Sequence, residues 1–338
     1  MRRPWLAPLT PLYAAGLALR NLRIENGWEP VRRLRFPVVS IGNLSTGGAG
    51  KTPLTIALAK ALTLRGLRVD VLSRGYGRTS HLPARVDPDG SAEEFGDEPL
   101  LIARQAGVPV YVARQRFEAG LLAEAEASAE ACNVNPPVIH LLDDGFQHRQ
   151  LHRDIDILLL DGRDGRDSLL PAGNLREPLK AARRATVIAI PAKDDAPALE
   201  AALRAWGFEG PVWRVHRRME VPVINGSVAA FCGIARPEQF FAGLEAAGLR
   251  IATRFAFPDH HRYSPADLQR LVTEARAAGT AAVITTEKDQ VRLGKLSAAF
   301  PESLPLKTAG LRIEIEHEDE AIDWLADRLS SVPPHRSL

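Results

Sequence analysis

The stretch "SIGNLSTGGAGKTP", Ser40 to Pro53, decides how the chain is read. An apolar run ends at Ile41, a glycine-rich turn follows, and a helical pattern begins at Thr52. Such a turn aims backbone N–H groups at phosphate oxygens. The usual phosphate loop places a glycine, four residues, then Gly-Lys-Ser/Thr. Here that leading position is Ser45. A serine is tolerable there if its φ is negative, with Gly47 and Gly48 supplying the unusual dihedrals. The expected nucleotide-binding set is therefore Ser45, Thr46, Gly47, Gly48, Ala49, Gly50, Lys51 and Thr52. Lys51 suits the β- and γ-phosphates of ATP, and the Thr52 hydroxyl suits Mg²⁺.

Further strand patterns alternate with helical ones: "RVDVLS" (68–73), "VPVYVA" (108–113), "VIHLLDD" (138–144), "DILLLD" (156–161) and "TVIAI" (186–190). Near-continuous apolar strands between helices imply a parallel sheet covered on both faces, with ligands at the strands' carboxyl ends. "VIHLLDD" ends in Asp143-Asp144, the layout of a Mg²⁺-associated carboxylate beside a phosphate loop. A second unit follows: "SVAAFC" (227–232), "RIATRFAF" (250–257) and "AAVITT" (281–286), with a cap-like Ser264-Pro265-Ala266-Asp267 opening a helix. "PVWRVHR" (211–217) and "LRIEIE" (311–316) read as two strands tying the units together.

The expected fold is α/β: a P-loop NTPase-like, mainly parallel sheet with helices on both faces, plus a smaller α/β second domain joined by a two-stranded linker. The divisions are 1–35, a membrane-associated helical segment; 36–210, the P-loop domain; 211–218 with 311–316, the linker; 219–310, the smaller domain; and 317–338, a C-terminal helix and tail.

Composition excludes some classes. The 338 residues carry a net charge of +2, which gives no case for nucleic acid as a partner. Two cysteines, Cys132 and Cys232, lie far apart in no metal-like spacing, so neither a disulfide framework nor a cysteine metal site is expected. The apolar run from Trp5 to Leu19, flanked by arginines and broken by Pro8 and Pro11, is short of a spanning helix. It suits an interfacial helix with Trp5, Leu9, Leu12, Tyr13 and Leu17 in the lipid, or else a helix packed on its own domain.

Binding a nucleoside triphosphate does not say what receives the phosphate; a nucleotide switch, or a kinase for a soluble small molecule, would carry the same loop. The remaining motifs go further. "GNLSTGGAGKTP", "SRGYGR", "GDEP", "DDGFQHRQLHRDIDILLLDG", "LLPAGNLREP", "FPDHHRY" and "TTEKDQVRL" occur in this order. That set resembles the tetraacyldisaccharide 4′-kinase family of lipid A biosynthesis, over about residues 36 to 293, including the missing leading glycine. The resemblance implies ATP-dependent phosphorylation of the 4′-hydroxyl of tetraacyldisaccharide 1-phosphate by a peripheral enzyme on the cytoplasmic face of the bacterial inner membrane. No obligate protein partner is implied. By the same resemblance, Asp97 matches a catalytic base and His260 its partner, with Asp259 beside it. Asp143 and Asp144 match an acidic pair, Gln147 a Mg²⁺-associated glutamine, and Arg176 an arginine that steadies charged phosphates. Arg74 and Arg78 are left between a phosphate contact and a structural turn; Lys288 suits a pair with Glu287 or Asp289, or a contact between domains, and receives no catalytic role.

Overall fold

β-Branched and leucine-rich runs build the centre of the sheet, because strands covered on both faces bury nearly every side chain, with Asp70 and Asp156 buried among them. The computed structural model describes residues 3–47, 50–130, 138–193 and 196–332; Gly48, Ala49 and Cys132 fall outside them. In chain order the elements of the first half are α1 (Thr10–Glu25), β1 (Val38–Asn43), α2 (Lys51–Leu64), β2 (Arg68–Ser73), β3 (Ala84–Arg85), α3 (Ala92–Phe95), α4 (Asp97–Ala106), β4 (Val110–Val112), α5 (Arg116–Glu130), β5 (Val138–Asp143), β6 (Ile155–Leu159), β7 (Val187–Pro191) and α6 (Ala196–Ala205). The second half comprises β8 (Val212–Glu220), β9 (Ser227–Cys232), α7 (Pro237–Ala246), β10 (Arg250–Ala256), α8 (Pro265–Ala277), β11 (Ala282–Thr286), α9 (Glu287–Leu293), β12 (Leu306–Ile315) and α10 (Glu318–Ser330).

The strands form one sheet in the order β10-β9-β11-β12-β8-β7-β6-β1-β5-β2-β4-β3. Pairing is parallel except at β8–β12 and β3–β4. β12 serves both halves: Leu306 to Ala309 pair with β11, and Gly310 to Ile315 pair with β8. β1 lies between β5 and β6, with Ile41 level with Asp143, so the glycine loop leaves the sheet beside the acidic strand end. This is the carboxyl edge at which α/β sheets hold ligands.

Alternation divides the core. Val39, Ile41, Leu141 and Ile157 face one side with Leu54, Leu58 and Leu62 of α2. Leu158, Leu160, Ile188 and Phe146 face the other, and Val38 and Leu142 pack there with Ala119 and Ala123 of α5. In the second half Phe231, Leu268, Leu271 and Val283 cover one face, while Val228, Ala230, Phe240 and Leu244 cover the other. The cap expected at Ser264 is present as a full capping box with Asp267. Cys232 is a buried free thiol.

Helix α1 docks along the first half. Tyr13, Leu17, Arg20 and Ile24 lie toward the protein, at helical spacing. Trp5, Leu9, Leu12, Leu19 and Leu22 are exposed. Tyr13 and Leu17 therefore leave the expected lipid-facing set, because the helix turns that face onto the sheet's carboxyl-end loops. No helix among the described residues is long and apolar enough to cross a membrane.

Candidate active site

The glycine loop bends where the sequence supplies glycine. Gly47 and Gly50 have φ of 85° and 92°, a region that a side chain disfavours, and α2 starts directly afterwards at Lys51. Ser45 is not among the residues with positive φ. It is instead 1% exposed and bridged to Leu175, so it secures the loop's flank. Thr46 N–H donates to the Asn174 carbonyl at 2.8 Å, a second tie to the same segment. Thr52 is buried in the first turn of α2.

Asn43, the last residue of β1, gathers the next layer, and sequence reading missed it. Lys51 Nζ donates to Asn43 Oδ1 at 3.1 Å. Arg176 donates to the Asn43 carbonyl at 3.3 Å and also to its side-chain oxygen. Gln147 Nε2 donates to the same carbonyl at 2.9 Å. The only local signal was a polar residue closing an apolar strand. Thr55, also missed, donates to Asp143 at 3.1 Å.

The two acids differ in state. Burial pushes Asp143 up to about 7, with the Glu98 and Asp144 charges adding to the effect. Burial acts on Asp144 in the same sense, but Lys51 at 3.6 Å and Arg176 outweigh it and hold that carboxyl well below the usual range. Arg176 grips Asp144 with two bonds of 3.0 and 2.8 Å, a fork that fixes the carboxylate plane. Asp144 itself sits at φ 51°, a left-handed turn that swings it off the end of β5.

Asp97 opens α4, behind Gly96, whose φ is 91° and where a Cβ would crowd Gly75 and Tyr76 at 3.1 Å. It is 5% exposed. His260 Nδ1 lies 3.2 Å from its Oδ2, and Arg292 Nε donates to that oxygen at 2.8 Å. Burial favours the neutral acid, but the His260 hydrogen bond and the Arg292 and Lys288 charges prevail, leaving Asp97 well below the usual range. The same hydrogen bond raises His260 against a smaller effect of burial. His260 has a left-handed backbone, φ 59°, and its ring leans on Tyr76 at 5.2 Å. Asp259 flanks the far nitrogen at 3.9 Å, while His261 turns away to Asp267.

Arg292 carries no role in the sequence reading, yet it also holds Asp289 and the Gly233 carbonyl. Lys288 pairs with neither of its sequence neighbours. Glu287 is taken by Arg312, and buried Asp289 by Gly233, Tyr263 and Arg292, so Lys288 reaches across to Glu98 on α4. Arg78 is buried against the Gly75 turn, whereas Arg74 faces the cleft.

A cleft of about 1330 Å³ joins these groups. Thr46, Lys51, Thr52, Asp143, Asp144 and Arg176 line it from the first half, and Asp259, His260 and Lys288 from the second. Asp97 reaches this space through His260. The arrangement offers a polyphosphate cradle, a carboxylate pair and a proton-accepting pair in one cavity.

A family model described as tetraacyldisaccharide-1-P 4′-kinase matches residues 2–330. A tetraacyldisaccharide 4′-kinase of Koribacter versatilis is 42% identical over 327 residues, covering 94% of this chain and 96% of the relative. One of Chromobacterium violaceum is 41% identical over 338 residues, covering 96% and 94%. The crystal structure of LpxK from Aquifex aeolicus, in complex with ATP, superposes with a TM-score of 0.73 at 32% identity, covering 96% of this chain and 98% of that one.

Proposed function

The chain belongs to the tetraacyldisaccharide-1-P 4′-kinase family, and from that premise we propose how its own residues run the reaction. The enzyme transfers the γ-phosphoryl group of ATP to the 4′-hydroxyl of tetraacyldisaccharide 1-phosphate, giving lipid IVA in lipid A biosynthesis. The observation that carries the residue assignment is the single cleft shared by Lys51, the Asp143–Asp144 pair and His260.

Phosphoryl transfer to an alcohol needs alignment, charge neutralisation and somewhere for one proton to go. The turn through Gly47 and Gly50, with Lys51, cradles the triphosphate; Arg176, already held against Asp144, meets charge developing on the transferred group. The acceptor's hydroxyl proton passes to the Asp97–His260 pair, with His260 fronting the cleft. Asp259 helps to place His260.

Mg²⁺ suits the residues present. Gln147 Oε1 is buried with no hydrogen-bond partner, and its Nε2 is tied to the Asn43 carbonyl that Arg176, the partner of Asp144, also holds. Mg²⁺ is bound through one or two carboxylates plus substrate phosphates; Thr52, Asp143, Asp144 and Gln147 would hold it. Once bound, it neutralises phosphate charge.

The exposed face of α1, with Trp5 75% and Leu12 74% exposed, supports a peripheral enzyme seated on the cytoplasmic side of the inner membrane. The acceptor's acyl chains then stay in the bilayer while its sugars enter the cleft.

Incubation with MgATP and tetraacyldisaccharide 1-phosphate in neutral-detergent micelles tests the assignment by mass spectrometry of the lipid. A second phosphate on the lipid is expected, and none with Lys51→Ala. Transfer undiminished in Lys51→Ala would remove the loop from the mechanism. ATP consumed with the lipid unchanged would favour a nucleotide switch.

A further inference from the structure

Helix α1 has two chemically different faces. Leu12, Leu19 and Leu22 form an exposed apolar stripe, continued by Leu9 and Trp5 in the turn before it. On the opposite side the polar tips of Tyr13 and Arg20 end on the backbone of two site residues. The Tyr13 hydroxyl donates to the carbonyl of Arg176 at 2.9 Å. The Arg20 guanidinium donates to the carbonyl of Gln147. One turn further along, Arg149 donates to Asn21 at 3.0 Å and pairs with Glu25 at 3.4 Å.

These contacts converge on one cluster. The side chains of Gln147 and Arg176 meet at the Asn43 carbonyl, and Arg176 holds both oxygens of Asp144. Gln147 and Arg176 lie in loops outside the named strands. The Leu44 carbonyl already accepts from Arg176 N–H at 2.7 Å and the Gln147 carbonyl from Arg149 N–H at 3.1 Å, so the helix adds a further tie to each. Fixing a residue's carbonyl fixes the peptide plane it belongs to, and so limits where its side chain can reach. A guanidinium at the end of a long side chain magnifies any shift of that plane, and displacements near 1 Å at a reacting centre are costly.

We propose that Tyr13 and Arg20 are positioning residues, through which the helix that meets lipid also sets Arg176 and Gln147 around Asp144. The proposal rests on the kinase reading above. It makes α1 part of the phosphate-transfer apparatus as well as an anchor.

The test uses the full chain with Tyr13→Phe, Arg20→Met and the double variant. Initial rates are measured in neutral-detergent micelles over ranges of ATP and lipid, with thermal unfolding in parallel. We expect kcat to fall roughly fivefold for Tyr13→Phe and roughly tenfold for Arg20→Met, with lipid KM within about twofold of wild type. The double variant should fall less than the product of the two, because both act on one cluster. Unchanged kcat in both single variants, or a loss confined to lipid KM, would make the helix an anchor only. A second readout needs no acceptor: the Mg²⁺ concentration required for ATP binding, followed by titration. Should wild type leave the lipid unphosphorylated, the kinase reading fails while this titration still decides the matter. A higher Mg²⁺ requirement in Arg20→Met supports the positioning role, and an unchanged one overturns it.

Discussion

Asp97 keeps its charge in a nearly closed site because two cations and an imidazole surround it. Asp97→Asn preserves the shape but removes the charge and the proton acceptor. Turnover should fall by roughly 10² or more while MgATP still binds. Single-turnover transfer and nucleotide titration on the same sample separate the two effects; lost nucleotide binding would place Asp97 in the nucleotide site instead. The Asp97–His260 pair also links stability to pH. His260 is raised above 6.5, so its stabilising contribution is complete below that value and is lost as pH climbs through the raised pKa. Asp97 is lowered, so its contribution is present above its ordinary 3.8 and is lost only as acid brings the pH down through the depressed value. Between about pH 5.5 and about pH 9 the histidine therefore dominates the change. The Tm advantage of wild type over His260→Gln should be largest at the acid end and shrink as pH rises. A difference constant across that range would show that the pair contributes nothing through charge.

At the scale of elements, the site depends on β1 and β5 lying side by side. Gly42, one residue before Asn43, passes under the turn that follows the acidic pair; a Cβ there would come within 2.5 Å of Phe146 Cβ and 2.8 Å of its backbone N. The clash is with the backbone and Cβ of Phe146, which no rotamer change can move. Gly42→Ala should cost about 1–3 kcal/mol of stability and lower activity, as read by denaturant unfolding and the transfer assay. An unaltered variant would mean that the Phe146 turn moves freely. "GNLSTGGAGKTP" exposes the loop to a sequence reader, because Gly47 and Gly50 stand where φ is positive. The same stretch hides the role of Asn43, whose partners Lys51, Gln147 and Arg176 are 8, 104 and 133 positions away.

Across the whole molecule, β8 and β12 join two parallel arrays into one sheet, and α4 faces α9 over the cleft. Arg292 is the main rivet, with Asp97 on one side and Asp289 and the Gly233 carbonyl on the other. Its side chain is 7% exposed, so removing it leaves two buried carboxylates without their cation. Arg292→Ala should destabilise the protein by about 3–5 kcal/mol, measured by denaturant unfolding, with Arg292→Lys restoring part of the loss. A cost near zero would mean that water replaces the guanidinium in this interface. The Lys288–Glu98 and Arg292–Asp97 ties join α4 of the first half to α9 of the second.

The sequence by itself determined the alternation of strands and helices, the glycine loop, the acidic strand end and the cap at Ser264. Each is set by neighbours within a few residues, through side-chain periodicity, backbone φ or a local hydrogen bond. Only the tertiary structure decided which charges meet. Lys288 finds Glu98, Arg292 finds Asp97, and Tyr13 turns inward to Arg176 rather than outward to lipid. A long polar side chain takes the partner that the packing of distant elements brings within reach, and burial then makes that pairing strong.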